Sequence, residues 1–287
     1  MRKTIVKAAV VQAAPVLFDT QKTLAKLSEL TREAAARGSD IVVFPEAFVG
    51  GYPKGLDFGA RLGSRSPEGR EDFRRYYENA IEVPGPDCDW IGTVARDNAV
   101  HLVVGVIERA GATLYCTALM YGPDGSLMGK HRKVMPTALE RLVWGFGDGS
   151  TLTVVDSDIG RIGSVICWEN YMPMLRMAMY AQGIEIYCAP TVDDRETWLP
   201  AMRTIALEGR CFVLSACQFL RRSDCPSDYA ALQGDDPAAV LIRGGSCIVD
   251  PLGAVLVEPR FGEEAMHYAE LDMRVIARGK YDLDVVG

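Results

Sequence analysis

The stretch Gly160-Arg-Ile-Gly-Ser-Val-Ile-Cys-Trp-Glu-Asn170, continued by Pro173-Met-Leu-Arg-Met-Ala-Met-Tyr-Ala-Gln-Gly183 and Ile184-Glu-Ile-Tyr-Cys-Ala-Pro190, decides how this 287-residue chain folds. Gly160 to Ile166 is small and β-branched, which suits a buried strand. Apolar residues then recur with helical spacing at Met174, Leu175, Met177, Ala178 and Ala181. Gly183 ends that helix, and Ile184 to Cys188 opens a second strand. Cys167 therefore stands at a strand-to-helix corner, where backbone N–H groups and the positive end of a helix dipole favour a thiolate over a thiol. A cysteine so placed is expected to have its pKa lowered by roughly one to several units and to serve as a nucleophile. The competing reading is packing. The chain has eight cysteines, most of them inside apolar runs, and free cysteine is among the most buried residue types.

Composition narrows the alternatives. A hydrophobic content of 48% over this length suits one large α/β domain or two small ones with a sizeable core. The net charge is -7 and the basic residues are scattered, which argues against a nucleic-acid or anionic-membrane partner. There is no C-x-x-C pair, and the three histidines (His101, His131, His267) lack metal-ligand spacing, so no metal site is expected. The N-terminus carries Lys7 inside its apolar run and reads as a strand rather than a signal peptide. No run reaches the length of a membrane span. Free thiols in a reducing, cytoplasmic setting follow.

From the N-terminus onward, strands and helices alternate. Thr4 to Gln12 reads as a strand, Asp19 as an N-cap, and Gln21 to Arg37 as a helix with Leu24, Leu27, Leu30 and Ala34 on one face. Ile41 to Phe44 is a short apolar strand that runs into Pro45-Glu46. This is a β-α-β unit with a carboxylate just past its second strand, where groups that form sites usually lie. Gly50 to Gly69 reads as a long loop, Arg70 to Ala80 as an exposed helix and Asp87 to Asn98 as another helix. Leu102 to Glu108, Tyr115 to Tyr121 and Ser126 to His131 read as strands, the last two about the turn Gly122 to Gly125. The segment from Lys130 to Ser150 is too charged and Gly-rich for a core element. Later strands are expected at Thr151 to Val155, Phe212 to Ala216, Ser246 to Val249, Val255 to Glu258 and Met266 to Leu271. Trp198 to Gly209 is a helix, while Thr191 to Glu196 and Arg221 to Pro237 are polar loops. No composition break marks a linker, so residues 1–287 read as one domain. Its two halves echo each other: strand-helix-Gly-strand-Pro appears at Val6 to Pro45 and again at Ile162 to Pro190.

Three residues gain meaning together. Glu46 follows a strand end, Lys133 ends a short basic strand, and Cys167 occupies its corner. Singly, they read as a cap, a solvated charge and a core thiol. Their surroundings are F-P-E-A-F-V-G-G-Y-P at Phe44 to Pro53, H-R-K-V-M-P-T-A-L-E-R-L-V-W-G-F-G-D-G at His131 to Gly149, and C-W-E-N-Y-M-P at Cys167 to Pro173. With further matches at Tyr187 to Thr191 and Leu207 to Arg210, the chain resembles the nitrilase superfamily of carbon-nitrogen hydrolases over nearly its whole length. Cys-Trp-Glu at the nucleophile is similar to the true nitrilase branch, whereas amidase-like branches more often show Cys-Tyr-Asp.

The resemblance implies a four-layer α-β-β-α sandwich and no cofactor. It implies Glu46 as general base, Lys133 as the cation that steadies the anionic intermediate, Cys167 as nucleophile and Glu140 as a second glutamate that positions the site. The expected reaction converts an organic nitrile to the carboxylic acid and ammonia through a Cys-bound thioimidate and thioester. The residue types fit that chemistry: a soft sulfur suits the nitrile carbon, and a carboxyl raised toward neutrality by burial can both take and give protons. An amide-cleaving hydrolase with the same triad is the alternative, and a scaffold that has lost its chemistry is a third reading against which the intact triad argues.

Tyr52, Thr137, Trp144, Trp168 and Trp198 are candidate walls of a substrate pocket, with core packing as their competing role. Aromatic walls suit an arylacetonitrile or arylaliphatic nitrile, and an aliphatic dinitrile is the other option. The helix after Cys167 carries Met172, Met174, Leu175, Met177, Met179 and Tyr180, more apolar surface than one core-facing stripe needs, so a homodimer through it is expected. Similar proteins continue past Tyr281-Asp-Leu-Asp-Val-Val-Gly287 with a His-Tyr-x-Arg-Pro segment and a tail used in subunit contacts. Without that tail, higher spiral assembly is expected to be weaker here.

Overall fold

The computed structural model describes residues 2–287. In the first half, β1 (Ile5–Gln12) leads through α1 (Thr20–Ala36) to β2 (Ile41–Val43); α2 (Pro67–Glu78) and α3 (Pro86–Asn98) then lead to β3 (His101–Ala110), β4 (Thr113–Tyr121) and β5 (Leu127–Arg132). In the second half, β6 (Val154–Ser157) and β7 (Gly160–Ser164) precede α4 (Pro173–Ala181), β8 (Ile186–Cys188), α5 (Trp198–Gly209) and β9 (Phe212–Ser215). A short pair follows, β10 (Phe219–Arg221) and β11 (Val240–Arg243), then β12 (Cys247–Val249), β13 (Val255–Val257), the long β14 (Ala265–Asp272) and α6 (Arg274–Lys280).

The strands form two six-stranded sheets, ordered β14-β1-β2-β3-β4-β5 and β13-β12-β9-β8-β7-β6. Each has a parallel centre, β1-β2-β3 in one and β7-β8-β9 in the other, flanked by antiparallel strands. The echo between the two halves is therefore a repeated β-α-β unit, once per sheet.

Strand periodicity sorts the side chains into layers. Val6, Ala8 and Val10 of β1 join Ile41 and Val43 of β2 against Ile162, Ile186, Phe212, Leu214 and Ile248 of the second sheet. The alternate residues Ala9, Val11, Val42 and Phe44 face Leu24 and Leu27 of α1 and Ile91, Val94 and Ala95 of α3. On the opposite side, Val165, Tyr187, Val213 and Val249 face Leu175 and Met179 of α4 and Met202 and Ile205 of α5. Because successive strand residues point to opposite faces, sheets covered on both sides need apolar residues at every position, as the continuous runs Ile41 to Phe44 and Phe212 to Leu214 provide. The result is the expected α-β-β-α sandwich.

Several local readings need correction. The segment after Lys130 is less exposed than its charge suggests: His131 and Lys133 are completely buried, because each finds carboxylate partners, and Ala138–Leu142 forms a 3-10 turn. The helix expected over Arg70 to Ala80 starts earlier, at Pro67 after the N-cap Ser66, and buries Tyr76. The polar stretch Arg221 to Pro237 is framed by the β10–β11 pair, and α6 was not anticipated, since its two buried residues, Ile276 and Gly279, make no readable periodicity.

One glycine fixes the height of the Glu46 segment above the sheet. The chain from Phe44 to Val49 arches over β3 and is held at both ends by backbone bonds, Phe44 N–H to Val103 O at 2.8 Å and Val49 N–H to Gly105 O at 3.0 Å. A Cβ on Gly105 would stand 2.2 Å from the carbonyl oxygen of Pro45 and 2.8 Å from the Cα of Glu46. Gly105→Ala is therefore expected to cost about 1–3 kcal/mol through overpacking and to lower turnover as Glu46 is displaced. Urea unfolding should show a lower midpoint at unchanged slope; an unaltered midpoint would mean that the arch moves freely.

Candidate active site

Three strand ends converge on one point between the two sheets. Glu46 lies just past β2, Lys133 just past β5 and Cys167 just past β7, each beyond the carboxyl end of its strand. The Lys133 ammonium donates to Glu46 Oε1 at 2.6 Å and to Glu140 Oε2 at 2.8 Å, and its side chain is completely buried, as is that of Glu46. The indole of Trp144 lies beside the same ammonium, 5.4 Å from Nζ to the ring centroid. Glu140 is itself held by the Tyr52 hydroxyl at 2.8 Å and by the Thr137 backbone N–H at 2.6 Å. The backbone carbonyl of Glu46 accepts from Gln218 Nε2 at 2.7 Å, a bond that ties the first half of the chain to the second.

Cys167 is only 3% exposed and adopts φ 51, in the left-handed region that side chains with a Cβ rarely occupy. Its N–H donates to Pro190 O at 2.9 Å, which prolongs the β7–β8 pairing to the corner. Asn170 Nδ2 donates to the carbonyls of both Val165 (3.0 Å) and Cys167 (2.7 Å) and so braces the turn from inside. The Thr191 hydroxyl donates to the sulfur at 3.2 Å. Thr191 escaped the sequence reading, although its place after Ala189-Pro190, at the end of the strand next to β7, was a usable signal.

Burial decides the protonation states. Burial, then the charge of Glu46, pushes the Cys167 thiol well above its usual range; Lys133 and the Thr191 hydrogen bond only partly oppose this. The expected lowering of this pKa is thus overturned. The turn after Cys167 is a five-residue 3-10 segment, and α4 begins only at Pro173, so no long helix aims its dipole at the sulfur. Burial also raises the Glu46 carboxyl, with Glu140 adding to the rise and Lys133 opposing it. Burial disfavours the charge on Lys133, but Glu46, Cys167 and Glu140 outweigh it and hold the ammonium well above its ordinary pKa. The resting site is a thiol, a permanent cation and a carboxyl raised toward proton exchange. Glu46 Oε2 is buried and has no hydrogen-bond partner among the described residues, which leaves one oxygen free for proton transfer.

A cavity of about 230 Å³ opens onto Cys167, lined by Tyr52, Lys54, Thr137, Glu140, Trp168 and the 192–195 loop. Tyr52, Thr137 and Trp168 are thus where a pocket wall requires them. Trp168 bonds Asp193 through its indole N–H at 2.8 Å and is covered by the Arg195 guanidinium, 4.6 Å from the ring centroid. Trp144 stands behind Lys133 and borders the adjoining cavity with Tyr52 and Glu140. Trp198 is different: it is 2% exposed, packs in the α5 core cluster and donates to Ser215 Oγ at 2.8 Å, outside the Cys167 cavity. Its place at the start of α5 buries it.

Comparison with known proteins gives a consistent result. The carbon-nitrogen hydrolase family model matches residues 7–281. An aliphatic nitrilase of Sinorhizobium fredii is 57% identical, over 98% of this chain and 91% of its own length. A bifunctional nitrilase/nitrile hydratase of Lupinus angustifolius is 56% identical, over 98% of this chain and 82% of its own. Among solved structures, a nitrilase-superfamily protein of Saccharomyces cerevisiae superposes with a TM-score of 0.75 at 23% identity, over 100% of this chain and 97% of that one, a likeness of fold.

The charges around the sulfur imply opposite responses to two substitutions. Glu46→Gln removes a charge that raises the thiol pKa, so the pH at which Cys167 reaches half its maximal iodoacetamide reactivity should fall. Lys133→Gln removes a charge that lowers it, so that pH should rise. Peptide mass mapping of alkylated Cys167 across pH provides the readout, and shifts in the same direction for both variants would contradict the assignment.

Proposed function

The chain belongs to the carbon-nitrogen hydrolase family and is a nitrile hydrolase, and we propose that Cys167, Glu46, Lys133 and Glu140 carry its reaction. The observation behind this reading is the buried Lys133 ammonium shared by two carboxyls beside a buried thiol at the floor of a cavity. Glu46 takes the Cys167 proton as sulfur attacks the nitrile carbon. One carbon-nitrogen π bond becomes a lone pair on nitrogen, which Lys133 stabilises and Glu46 protonates to give the thioimidate. Glu46 next takes a proton from water as its oxygen adds to the same carbon. The tetrahedral carbon then carries sulfur, oxygen and nitrogen. Glu46 passes that proton to nitrogen, which becomes NH2; when the proton of the new hydroxyl then reaches nitrogen by way of Glu46 as the carbonyl forms, ammonia leaves, a thioester remains, and a second water releases the carboxylic acid and restores the thiol. When sulfur leaves first, the hydroxyl proton passes to it by way of Glu46, the thiol is restored and the amide escapes.

Glu140 holds Lys133 and so controls where the cation stands when nitrogen departs. The acid is the expected major product with unhindered substrates, and the bifunctional relatives fit a shared intermediate with two exits. A cysteine that is 3% exposed below a small cavity favours nitriles carried on a flexible CH2 group, aliphatic or arylaliphatic, over nitriles attached directly to a ring.

The outward face of α4 is proposed as a homodimer contact. Leu175, Met179 and Tyr180 are buried, and Met172 and Met177 pack against the same internal cluster, so most of the apolar excess serves the core. Met174 remains 81% exposed at its centre. Light scattering at micromolar concentration should give twice the chain mass, and a monomer mass would remove the idea. No described helix is long and apolar enough to cross a membrane. With eight free, buried cysteines, we place the protein in the reducing cytoplasm.

Turnover of a nitrile panel, with acid and amide separated by chromatography, tests the mechanism. Cys167→Ala should abolish turnover and keep the fold, while Cys188→Ala and Cys217→Ala should keep substantial activity. Glu140→Gln should slow the reaction and move the residual product toward amide, each tenfold change in ratio representing about 1.4 kcal/mol between the two exits. Activity on amides alone, or an unchanged ratio in Glu140→Gln, would count against the assignment.

A further inference from the structure

Glu169 is completely buried, and the reaction as derived makes no use of it. Its Oε1 accepts from the Val134 N–H at 2.5 Å, and its Oε2 accepts from the Ile166 N–H at 3.0 Å. Val134 directly follows Lys133, and Ile166 directly precedes Cys167. A single carboxylate thus bonds the chain beside the cation to the chain beside the nucleophile. Its third partner is the Nε2 of His131, at 2.9 Å, a side chain that is also completely buried. The other ring nitrogen, Nδ1, lies 3.2 Å from the carbonyl oxygen of Thr151. Both nitrogens of His131 therefore face oxygens, and a ring facing a carboxylate through Nε2 serves it as a hydrogen-bond donor.

The neighbouring contacts make this link the main direct bridge between the two segments. Lys133 is otherwise tied to its own sheet, its N–H donating to Cys116 O at 2.8 Å and its carbonyl accepting from Gly147 N–H at 2.8 Å. Cys167 is tied to the other sheet through Pro190 and Asn170. Side-chain packing alone would let the two slide against each other. A carboxylate that accepts three hydrogen bonds, all from donors out of water, resists such sliding, because breaking any one leaves a buried polar group unpaired.

We propose that Glu169, oriented by His131, is a positioning residue that sets the distance between the Lys133 ammonium and the Cys167 sulfur, and thereby selects acid over amide release. The inference rests on the reading of Cys167 and Lys133 given above. Glutamine at this position keeps the size and one acceptor oxygen but places an NH2 group opposite one of the donors. The two segments then separate or twist, and the ammonium no longer sits where charge develops as nitrogen leaves.

The experiment uses the purified full chain, with the nitrile that wild type turns over fastest in a panel of aliphatic and arylaliphatic nitriles. Wild type, Glu169→Gln and His131→Gln are compared by kcat, KM, melting temperature and the acid-to-amide ratio. That ratio is a property of each turnover, so a smaller folded fraction does not change it. For Glu169→Gln the ratio is expected to fall by about tenfold or more and kcat by a similar factor, with KM changing less than about threefold, as for a displacement of well under 1 Å at the reacting groups. His131→Gln, which leaves both backbone bonds to Glu169 in place, should move the ratio in the same direction by less. Folded variants with the wild-type ratio overturn the proposal, as would two variants that fail to fold, which would assign the pair to stability alone. A wild type producing neither acid nor amide would instead reject the catalytic reading itself; a shifted ratio in Glu140→Gln beside an unshifted one in Glu169→Gln rejects only the role of Glu169.

Discussion

The buried Lys133 ammonium is the constraint around which the rest of the site is arranged. Taking an unpaired cation out of water costs several kcal/mol or more, so a lysine with a completely buried side chain requires partners of opposite charge at hydrogen-bonding distance. Glu46 and Glu140 supply them at 2.6 and 2.8 Å, and the Trp144 ring faces a third direction. Each partner is secured in turn, Glu140 by Tyr52 and Thr137 and the Glu46 backbone by Gln218. Loss of Lys133 would leave two carboxyls in the interior without their shared cation, and loss of either carboxyl would leave the ammonium a single charged partner. The arrangement therefore specifies its own geometry more than it stabilises the fold.

The same low-dielectric surroundings set the chemistry. A cation shared by two carboxyls leaves Glu46 incompletely compensated, and burial raises its pKa. The thiol beside it is raised as well, so the proton rests on sulfur. In the reaction proposed above, proton transfer and carbon-sulfur bond formation proceed together, and the thiolate appears only when an electrophile is present to consume it. On that reading the sulfur stays unreactive until a substrate fills the cavity.

The sandwich makes this concentration of charge possible. Two parallel-centred sheets packed face to face bring the carboxyl ends of β2, β5 and β7 together, and each reactive residue leaves its strand at a backbone position that is held from several sides. Cys167 at φ 51 is the clearest case: an unfavourable conformation persists because Asn170, Glu169 and Pro190 fix the chain on either side of it. Gly105 performs the corresponding service for Glu46 by leaving room for the arch above β3.

Local patterns in the sequence determined the alternation of strands and helices, the corner at Cys167 and the two matching halves, because period, capping and glycine stops act over a few residues. The motifs around Glu46, Lys133 and Cys167 also carried the family resemblance and the four-layer architecture. Quantities that depend on distance through space were decided only by the tertiary structure. Lys133 and Glu46 are 87 positions apart, and nothing in a charged, Gly-rich segment signals that its lysine is buried between carboxyls. The thiol pKa rose where the corner alone suggested a fall, since desolvation and the charge of Glu46 outweigh the dipole of a short turn. Trp198 went to the core and Trp168 to the cavity although both are aromatic residues at element ends, because the side chain's direction relative to the packed sheets determines which of them meets solvent. Gln218 and the Glu169–His131 pair became visible only when the second sheet was laid against the first, for hydrogen bonds between distant segments leave no periodicity in the chain that makes them.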